Sequence, residues 1–319
     1  MSDDPRALVT GCAGFIGHGL ASKLIDSGIG VLGVDSLTDY YDPSIKRARL
    51  AELVTMEGFR WVAGDLLEMD LGPLIKQVDI VFHLAGQPGV RASWSDGFRE
   101  YVDRNILATQ RLLEASRFTN LSRFVFASSS SVYGNAAEYP CAESVLPRPF
   151  SPYGVTKLAG EQLCVAYAEN FALPTVSLRY FTVYGPGQRP DMAFKRMIDA
   201  ALGGPPFPLF GDGQARRDFT FVDDVVDATI RAGATELSPG LVMNVAGSET
   251  FSVAEILAEI GEIVGAAVPI EQKGAVSGDV ARTGGDARLA REMLGWQPQV
   301  SMSEGLRRQV DAQRQRNSE

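Results

Sequence analysis

Tyr153-Gly-Val-Thr-Lys157 sets a phenol and an ammonium four residues apart at the start of an expected helix. Residues at i and i+4 share a helix face. A phenol with an ordinary pKa of about 10 is a poor base at neutral pH, and a cation one turn away stabilises its ionised form. Such a phenolate can take the proton of an alcohol as hydride leaves the carbon. Alone, this spacing is common on solvated helix faces. Ser128-Ser-Ser-Ser131 follows an expected strand and would put hydroxyls at the carboxyl edge of a sheet, within reach of the same alcohol. Read by itself, the run equally fits a polar turn.

Hydride needs an acceptor, and the N-terminal segment offers a place for one. Thr10-Gly11-Cys-Ala-Gly14-Phe15-Ile16-Gly17 links an expected strand to an expected helix. Gly11 permits the tight turn, Gly14 lets backbone approach a pyrophosphate, and Gly17 lets helix and strand pack closely. The helix N-terminus then turns free N–H groups and a partial positive charge toward phosphate. Asp35 ends the next strand, where a carboxylate can accept the adenosine ribose hydroxyls or simply cap the following turn. Its charge would repel a 2′-phosphate, which favours NAD over NADP. Asp65, followed by Leu66, is similarly placed for the adenine edge, and Leu84-Ala85-Gly86 is a small-residue turn against which a cofactor can lie. His83 reads as a buried strand-end histidine.

These residues need a sheet to position them. Short apolar runs at 7–10, 30–35, 59–64, 78–83, 124–127 and 175–180 read as strands. Helical periods near 15–27, 43–55, 98–118 and 153–171 fill the gaps. Such β-α-β alternation predicts an α/β protein with a doubly wound, Rossmann-type parallel sheet. After Tyr180 the pattern loosens. Residues 203–213 are turn-rich, and helices near 222–235, 252–265 and 301–315 and strands near 241–245 and 268–271 follow. This predicts a smaller C-terminal α/β substrate lobe. The division expected is 1–180 for the dinucleotide, taking in about 220–248 as well, and 181–319 mainly for the substrate.

Composition narrows the partners. The chain has 319 residues, 45% hydrophobic and 22% charged, with a net charge of −9. That balance is globular, and its sign disfavours nucleic acid. Cys12, Cys141 and Cys164 are widely spaced, and only His18 and His83 could join them, so neither a disulfide framework nor a metal site is expected. No apolar run reaches the roughly 18 residues needed to span a bilayer. With an acidic start lacking an apolar signal core, this predicts a cytoplasmic protein with no membrane partner.

The glycine turn, His83-Leu-Ala-Gly86, Ser128 to Gly134 and Ser151-Pro-Tyr-Gly-Val-Thr-Lys157 together resemble the extended short-chain dehydrogenase/reductase superfamily. Within it the chain resembles, over nearly its whole length, the nucleotide-sugar 4-epimerases. Thr38 to Leu50 and Tyr180 to Ala193 are very similar to UDP-glucuronate 4-epimerases. The resemblance implies tightly bound NAD, a UDP-sugar substrate and a transient 4-keto intermediate. It makes Tyr153 the base, Lys157 its partner and nicotinamide-ribose ligand, and Ser129 the hydroxyl nearest O4. Asn105 and Tyr180 join the cofactor set. Ser130, Ser131, Thr182 and Met192 line the sugar pocket, and Arg189 meets the substrate carboxylate. Pro208 and Phe210 form the uracil wall, Arg217 binds diphosphate and Asp279 the uridine ribose. Val276 stands where related enzymes often carry an arginine, which directs attention to Arg282. The family's dimer helices correspond to 98–118 and 153–171, so a homodimer is expected.

Other chemistries of this fold fit less well. Related dehydratases carry an Asp-Glu acid/base pair where this chain has Ser130-Ser131, and serine cannot serve as either group in eliminating water. UDP-glucuronate decarboxylases typically have a glutamate at position 131. A dead NAD-sensing protein would not need the Ser/Tyr/Lys set. The expected reaction is interconversion of UDP-glucuronate and UDP-galacturonate, with UDP-glucose/UDP-galactose epimerisation as the alternative.

Overall fold

The computed structural model describes residues 6–247, 249–274, 280 and 282–318. Twelve strands occur among them: β1 (Ala7–Thr10), β2 (Val31–Asp35), β3 (Phe59–Ala63), β4 (Ile80–His83), β5 (Arg123–Ser129), β6 (Thr175–Tyr180), β7 (Thr182–Tyr184), β8 (Phe207–Phe210), β9 (Arg216–Phe221), β10 (Leu241–Val245), β11 (Thr250–Ser252) and β12 (Ile270–Lys273). Seven form one sheet in the order β10-β6-β5-β4-β1-β2-β3, with every pairing parallel. This is the doubly wound sheet that the strand alternation predicts. The order reverses between β1 and β4, and a crevice opens at such a switch point beyond the carboxyl ends of the strands.

Burial explains why the strands read as continuous apolar runs. Ala7 and Val9 pack into the core on one face of the sheet, with Leu20 and Leu24 from the Phe15–Asp26 helix and Val225 from the Val222–Ala234 helix. Leu8 faces the other way, with Leu112, Leu113 and Cys164 from the Ala108–Ser116 and Pro152–Phe171 helices. With both faces covered, polar residues have no solvated side to occupy. The three cysteines are buried and free.

Helix starts follow their capping residues. Asp42 accepts the Ser44 amide at 2.8 Å ahead of Pro43–Val54. Ser151 accepts the Gly154 amide at 3.1 Å ahead of Pro152–Phe171, with Pro152 at the first helical position. Ser252 and Glu255 make a reciprocal capping box for Val253–Val264. The expected helix over 98–118 is Phe98–Tyr101, a π-helical turn Val102–Leu107, then Ala108–Ser116.

Several elements escape sequence periodicity. The turn-rich stretch at 203–213 contains β8, which pairs in parallel with β12. β9 pairs with β7 and β11 in a separate small sheet. β7, β8, β9 and β11 were not expected, each being held by a partner strand distant in the chain. The helices Gly72–Ile75, Ala193–Ala201 and Arg288–Leu294 were likewise not expected. No helix among the described residues is long and apolar enough to cross a membrane.

Asp218 on β9 ties this sheet to its surroundings. Its buried carboxylate accepts the Gly247 amide at 2.6 Å and the Gly285 amide at 3.0 Å. Burial raises its pKa to about 7, the two amides opposing. Between about pH 4 and pH 7 the folded chain therefore holds a proton that the unfolded chain has lost, and stability falls as pH rises through that window. Asp218→Asn removes this titration. Its denaturation midpoint is expected to lose less than the wild type's between pH 4 and 7, the wild-type slope being steeper by up to ~1.4 kcal/mol per pH unit. Parallel pH profiles would contradict this account.

Candidate active site

A cleft of about 1240 Å3, including its open mouth, runs along the carboxyl edge of the sheet at the switch point. Gly11, Gly14, Phe15, Ile16 and Gly17 form one wall. Gly11 has φ +73°, and a Cβ there would lie 2.9 Å from the Ala85 amide nitrogen. A Cβ on Gly17 would collide with the Gly11 carbonyl. The turn therefore tolerates no side chain at either position and leaves its backbone bare to the cleft.

Asp35 lies beside the turn. Its Oδ2 accepts the Ala13 amide at 3.1 Å and its Oδ1 the Leu37 amide at 2.8 Å. The carboxylate thus holds two turns and still borders the cleft. Asp65 and Leu66 border it too, Asp65 accepting the Leu67 amide and facing Arg104 at 3.1 Å. Leu84, Ala85 and Gly86 complete this side. Asn105 does not line the cleft. Buried in the π-helical turn, its side chain accepts the Gln87 amide at 2.7 Å and donates to the Gln87 carbonyl and the Thr156 hydroxyl, each at 3.0 Å. It pins the 84–87 turn against the helix that carries Lys157.

Tyr153 and Lys157 border the cleft from the first turns of the Pro152–Phe171 helix. Lys157 Nζ donates to the Ala127 carbonyl at 2.8 Å and lies 5.1 Å from the centre of the Phe126 ring. Burial lowers its pKa to about 8, so it stays mostly protonated at pH 7. Burial raises the Tyr153 pKa, while a hydrogen bond with Ser129 and the Arg189 guanidinium pull it down. Ser129 and Arg189 are thus two groups acting on the phenol beyond the Lys157 that the spacing pointed to. Tyr180 also borders the cleft, its hydroxyl bonded at 2.7 Å to Thr229 behind the sheet.

The serines divide their tasks. Ser128 turns inward and donates to Glu161 at 2.9 Å. Ser129 points to Tyr153 and accepts the Ser131 amide at 3.1 Å. Ser130 and Ser131 form a half-buried turn after β5. His83 is fully buried between the Thr10 and Thr109 hydroxyls, at 2.8 and 2.9 Å, and burial drives its pKa to about 3.

Arg189 reaches the same cleft from the loop after β7 and makes a two-pronged pair with Asp191, 2.9 and 2.8 Å. Among the described residues, Thr182, Met192, Pro208, Phe210 and Arg217 stand outside the lining of this cleft. Thr182 is on β7 and Met192 precedes the Ala193–Ala201 helix. Pro208 and Phe210 are on β8, with the Arg91 guanidinium 4.3 Å from the Phe210 ring centre. The adjacent arginines separate. Arg216 pairs with Glu255 at 3.1 Å, a structural link, while Arg217 donates to the Arg216 carbonyl at 2.9 Å. Arg282 bridges to Arg216 on β9, which puts it in the same lobe. Asp279 lies outside the described residues. Tyr40, Tyr41, Lys46 and Arg104 line the cleft although the sequence reading gave them no role. Tyr40, Tyr41 and Lys46 belong to the 38–50 stretch that carried the resemblance, which was the available signal.

The chain matches the NAD dependent epimerase/dehydratase family over residues 7–246. It is 41% identical over 306 residues to an uncharacterized UDP-glucose epimerase of Bacillus subtilis, covering 96% of each chain. It is 36% identical to a UDP-glucuronate 4-epimerase of Thermodesulfobacterium geofontis, covering 95% of this chain and 94% of that one. The crystal structure of UDP-glucuronic acid 4-epimerase from Bacillus cereus in complex with UDP-glucuronic acid and NAD superposes with a TM-score of 0.94 at 42% identity, covering 97% of this chain and 99% of that one.

Proposed function

The chain belongs to the NAD dependent epimerase/dehydratase family, and from that premise we propose that it interconverts UDP-glucuronate and UDP-galacturonate, with UDP-glucose a weaker substrate. The observation that carries the choice of sugar is Arg189, a guanidinium set on the same cleft as the Tyr153 phenol. The neutral-sugar reading keeps some support from the Bacillus subtilis relative.

The residues present fit a dinucleotide: a turn with no room for Cβ atoms at the start of a helix, and a carboxylate beside it. Gly11 to Gly17, Asp35, Asp65, Leu66, the 84–86 turn, Lys157 and Tyr180 would hold it, with Asn105 supporting the turn. Bound there, NAD supplies reversible removal and return of hydride at C4 of the sugar. Tyr153 takes the O4 proton and later gives it back. Ser129, bonded to the phenol, steadies the same oxygen. Ser130, Ser131, Thr182 and Met192 surround the sugar, while Pro208, Phe210, Arg217 and Asp279 hold the UDP. With the diphosphate anchored, the 4-keto sugar turns and presents its other face.

A 4-keto uronate is a β-keto acid and loses CO2 when its C5–carboxylate bond lines up with the carbonyl π system. Arg189 holds the carboxylate out of that alignment through directed, charge-assisted hydrogen bonds. Comparing UDP-glucuronate with UDP-glucose on the wild type and on Arg189→Ala tests this. We expect the variant to lose kcat/KM selectively for the uronate, by roughly 10–100-fold, with some pentose product. An unchanged ratio between the two substrates would refute the assignment.

On this reading residues 1–180, with about 220–248, hold NAD, and 181–319 mainly hold the UDP-sugar. The place of β10 in the large sheet supports that division. The enzyme works in the cytoplasm as a homodimer. Leu107, Val155, Phe171 and Phe118 are exposed on or beside the two helices of the expected interface, an apolar surface that a second copy would cover. Light scattering at micromolar concentration should give twice the chain mass.

A further inference from the structure

The stretch from Tyr40 to Arg49 does more than border the cofactor side of the cleft. The Tyr40 hydroxyl faces Asp191 and rests against Gly89. Asp191 in turn grips Arg189 by two bonds, from Nε at 2.9 Å and from Nη2 at 2.8 Å. Nine residues on, the buried Arg49 donates to the Gly187 carbonyl, to the Ala13 carbonyl in the glycine turn at 3.3 Å and to the Tyr41 hydroxyl at 3.3 Å. The same loop is held from below by Gln309, which accepts the Gly185 amide at 3.1 Å and donates to Gln188 at 3.1 Å. The loop bearing Arg189 is therefore fastened at 185, 187, 188 and 191.

A guanidinium has five N–H donors in one plane. Asp191 occupies the edge formed by Nε and Nη2. Among the described residues nothing hydrogen-bonds the edge formed by Nη1 and the second Nη2 hydrogen, and its plane is set by the occupied one. The Arg189–Asp191 pair is also neutral as a unit, so what it offers an anion is direction more than net charge.

We propose that Asp191, flanked by Tyr40, is a specificity-positioning residue that locks one edge of Arg189 so that the other meets the substrate carboxylate in a single orientation. The inference rests on the uronate reading above. A guanidinium free to swing would still attract the carboxylate but would let it rotate. The C5–carboxylate bond could then break at the 4-keto stage. Its electron pair would pass into the enolate of the ketone, CO2 would leave, and a proton taken at C5 would give a UDP-4-keto-pentose.

The test is steady-state kinetics and CO2 release with Asp191→Asn, Asp191→Glu and Tyr40→Phe, on UDP-glucuronate and UDP-glucose. Asp191→Asn is expected to lower kcat on the uronate roughly 10-fold without raising KM, and to raise CO2 released per turnover. UDP-glucose kinetics should lose less, since that sugar has no carboxylate for the clamp and shares only the influence of Arg189 on the Tyr153 phenol. Asp191→Glu should restore part of the uronate kcat, and Tyr40→Phe should follow Asp191→Asn in direction with a smaller loss. A lower KM with unchanged kcat and product would mean that Asp191 merely competes with substrate, and would overturn the proposal. Equal losses on both sugars would make Asp191 structural and also overturn it. A wild type that turns over UDP-glucose but not UDP-glucuronate would instead bring down the uronate reading, and this inference with it.

Discussion

Tyr153→Phe is expected to lower kcat by about 10²–10⁴ on either sugar, while leaving substrate and cofactor affinity nearly unchanged. The phenol is the titratable group that borders the cleft, touches Ser129 and stands with Lys157 on one helix face. Removing its hydroxyl deletes the proton acceptor and little else, because the ring keeps its edge contact with Tyr101, 6.2 Å between centres. The loss therefore belongs in kcat, not KM. The ionisable balance adds a direction with pH. Burial holds the Tyr153 pKa up and Lys157 is lowered to about 8. Wild-type turnover should rise from acid toward neutral pH as the phenol is more readily ionised, and a titration of kcat should show that limb vanish in Tyr153→Phe. Turnover within a few-fold of wild type in that variant would remove Tyr153 from the proton-transfer role.

The second large effect is on stability. Glu161, one further turn along the helix from Lys157, is fully buried and pairs with the buried Arg179 on β6, whose Nε donates at 3.0 Å. Ser128 donates to the same carboxylate, and Arg179 also donates to the Tyr133 hydroxyl at 2.8 Å. Tyr133 passes the chain on to Asn244 at 2.7 Å, so one polar network joins β5, β6 and β10 behind the serines. Glu161→Gln keeps the shape and leaves a buried guanidinium without its counter-charge. Breaking such a pair costs about 3–5 kcal/mol, whereas replacing both partners with apolar residues can be nearly neutral. Urea denaturation should show that loss for Glu161→Gln, and Glu161→Leu combined with Arg179→Met should recover most of it. A single variant as stable as wild type would mean that the network contributes nothing net.

Much of this protein was legible from spacing alone. The glycine turn, Asp35 at the end of β2 and the Tyr153–Lys157 pair are each set by chain-local geometry: a strand–turn–helix unit or one helix turn. All of them border one cleft. The seven-stranded sheet followed from alternation because both faces of its central strands are buried, which makes those strands recognisable apolar runs; the edge strand β3 is largely exposed. The short strands β7, β8, β9 and β11 gave no such signal, being held by partners far along the chain. Longer-range polar contacts were decided only by the tertiary structure. Asn105 braces the 84–87 turn, because a π-helical turn aims its amide at Gln87 and Thr156. The phenol is tuned by Ser129 and Arg189, which lie 24 residues before it and 36 after it in the sequence. Tyr40 meets Asp191, and Arg49 meets Gly187, across separations that no local period encodes. Local spacing determines which groups share a turn or a helix face; only the packing of distant segments determines which of them touch.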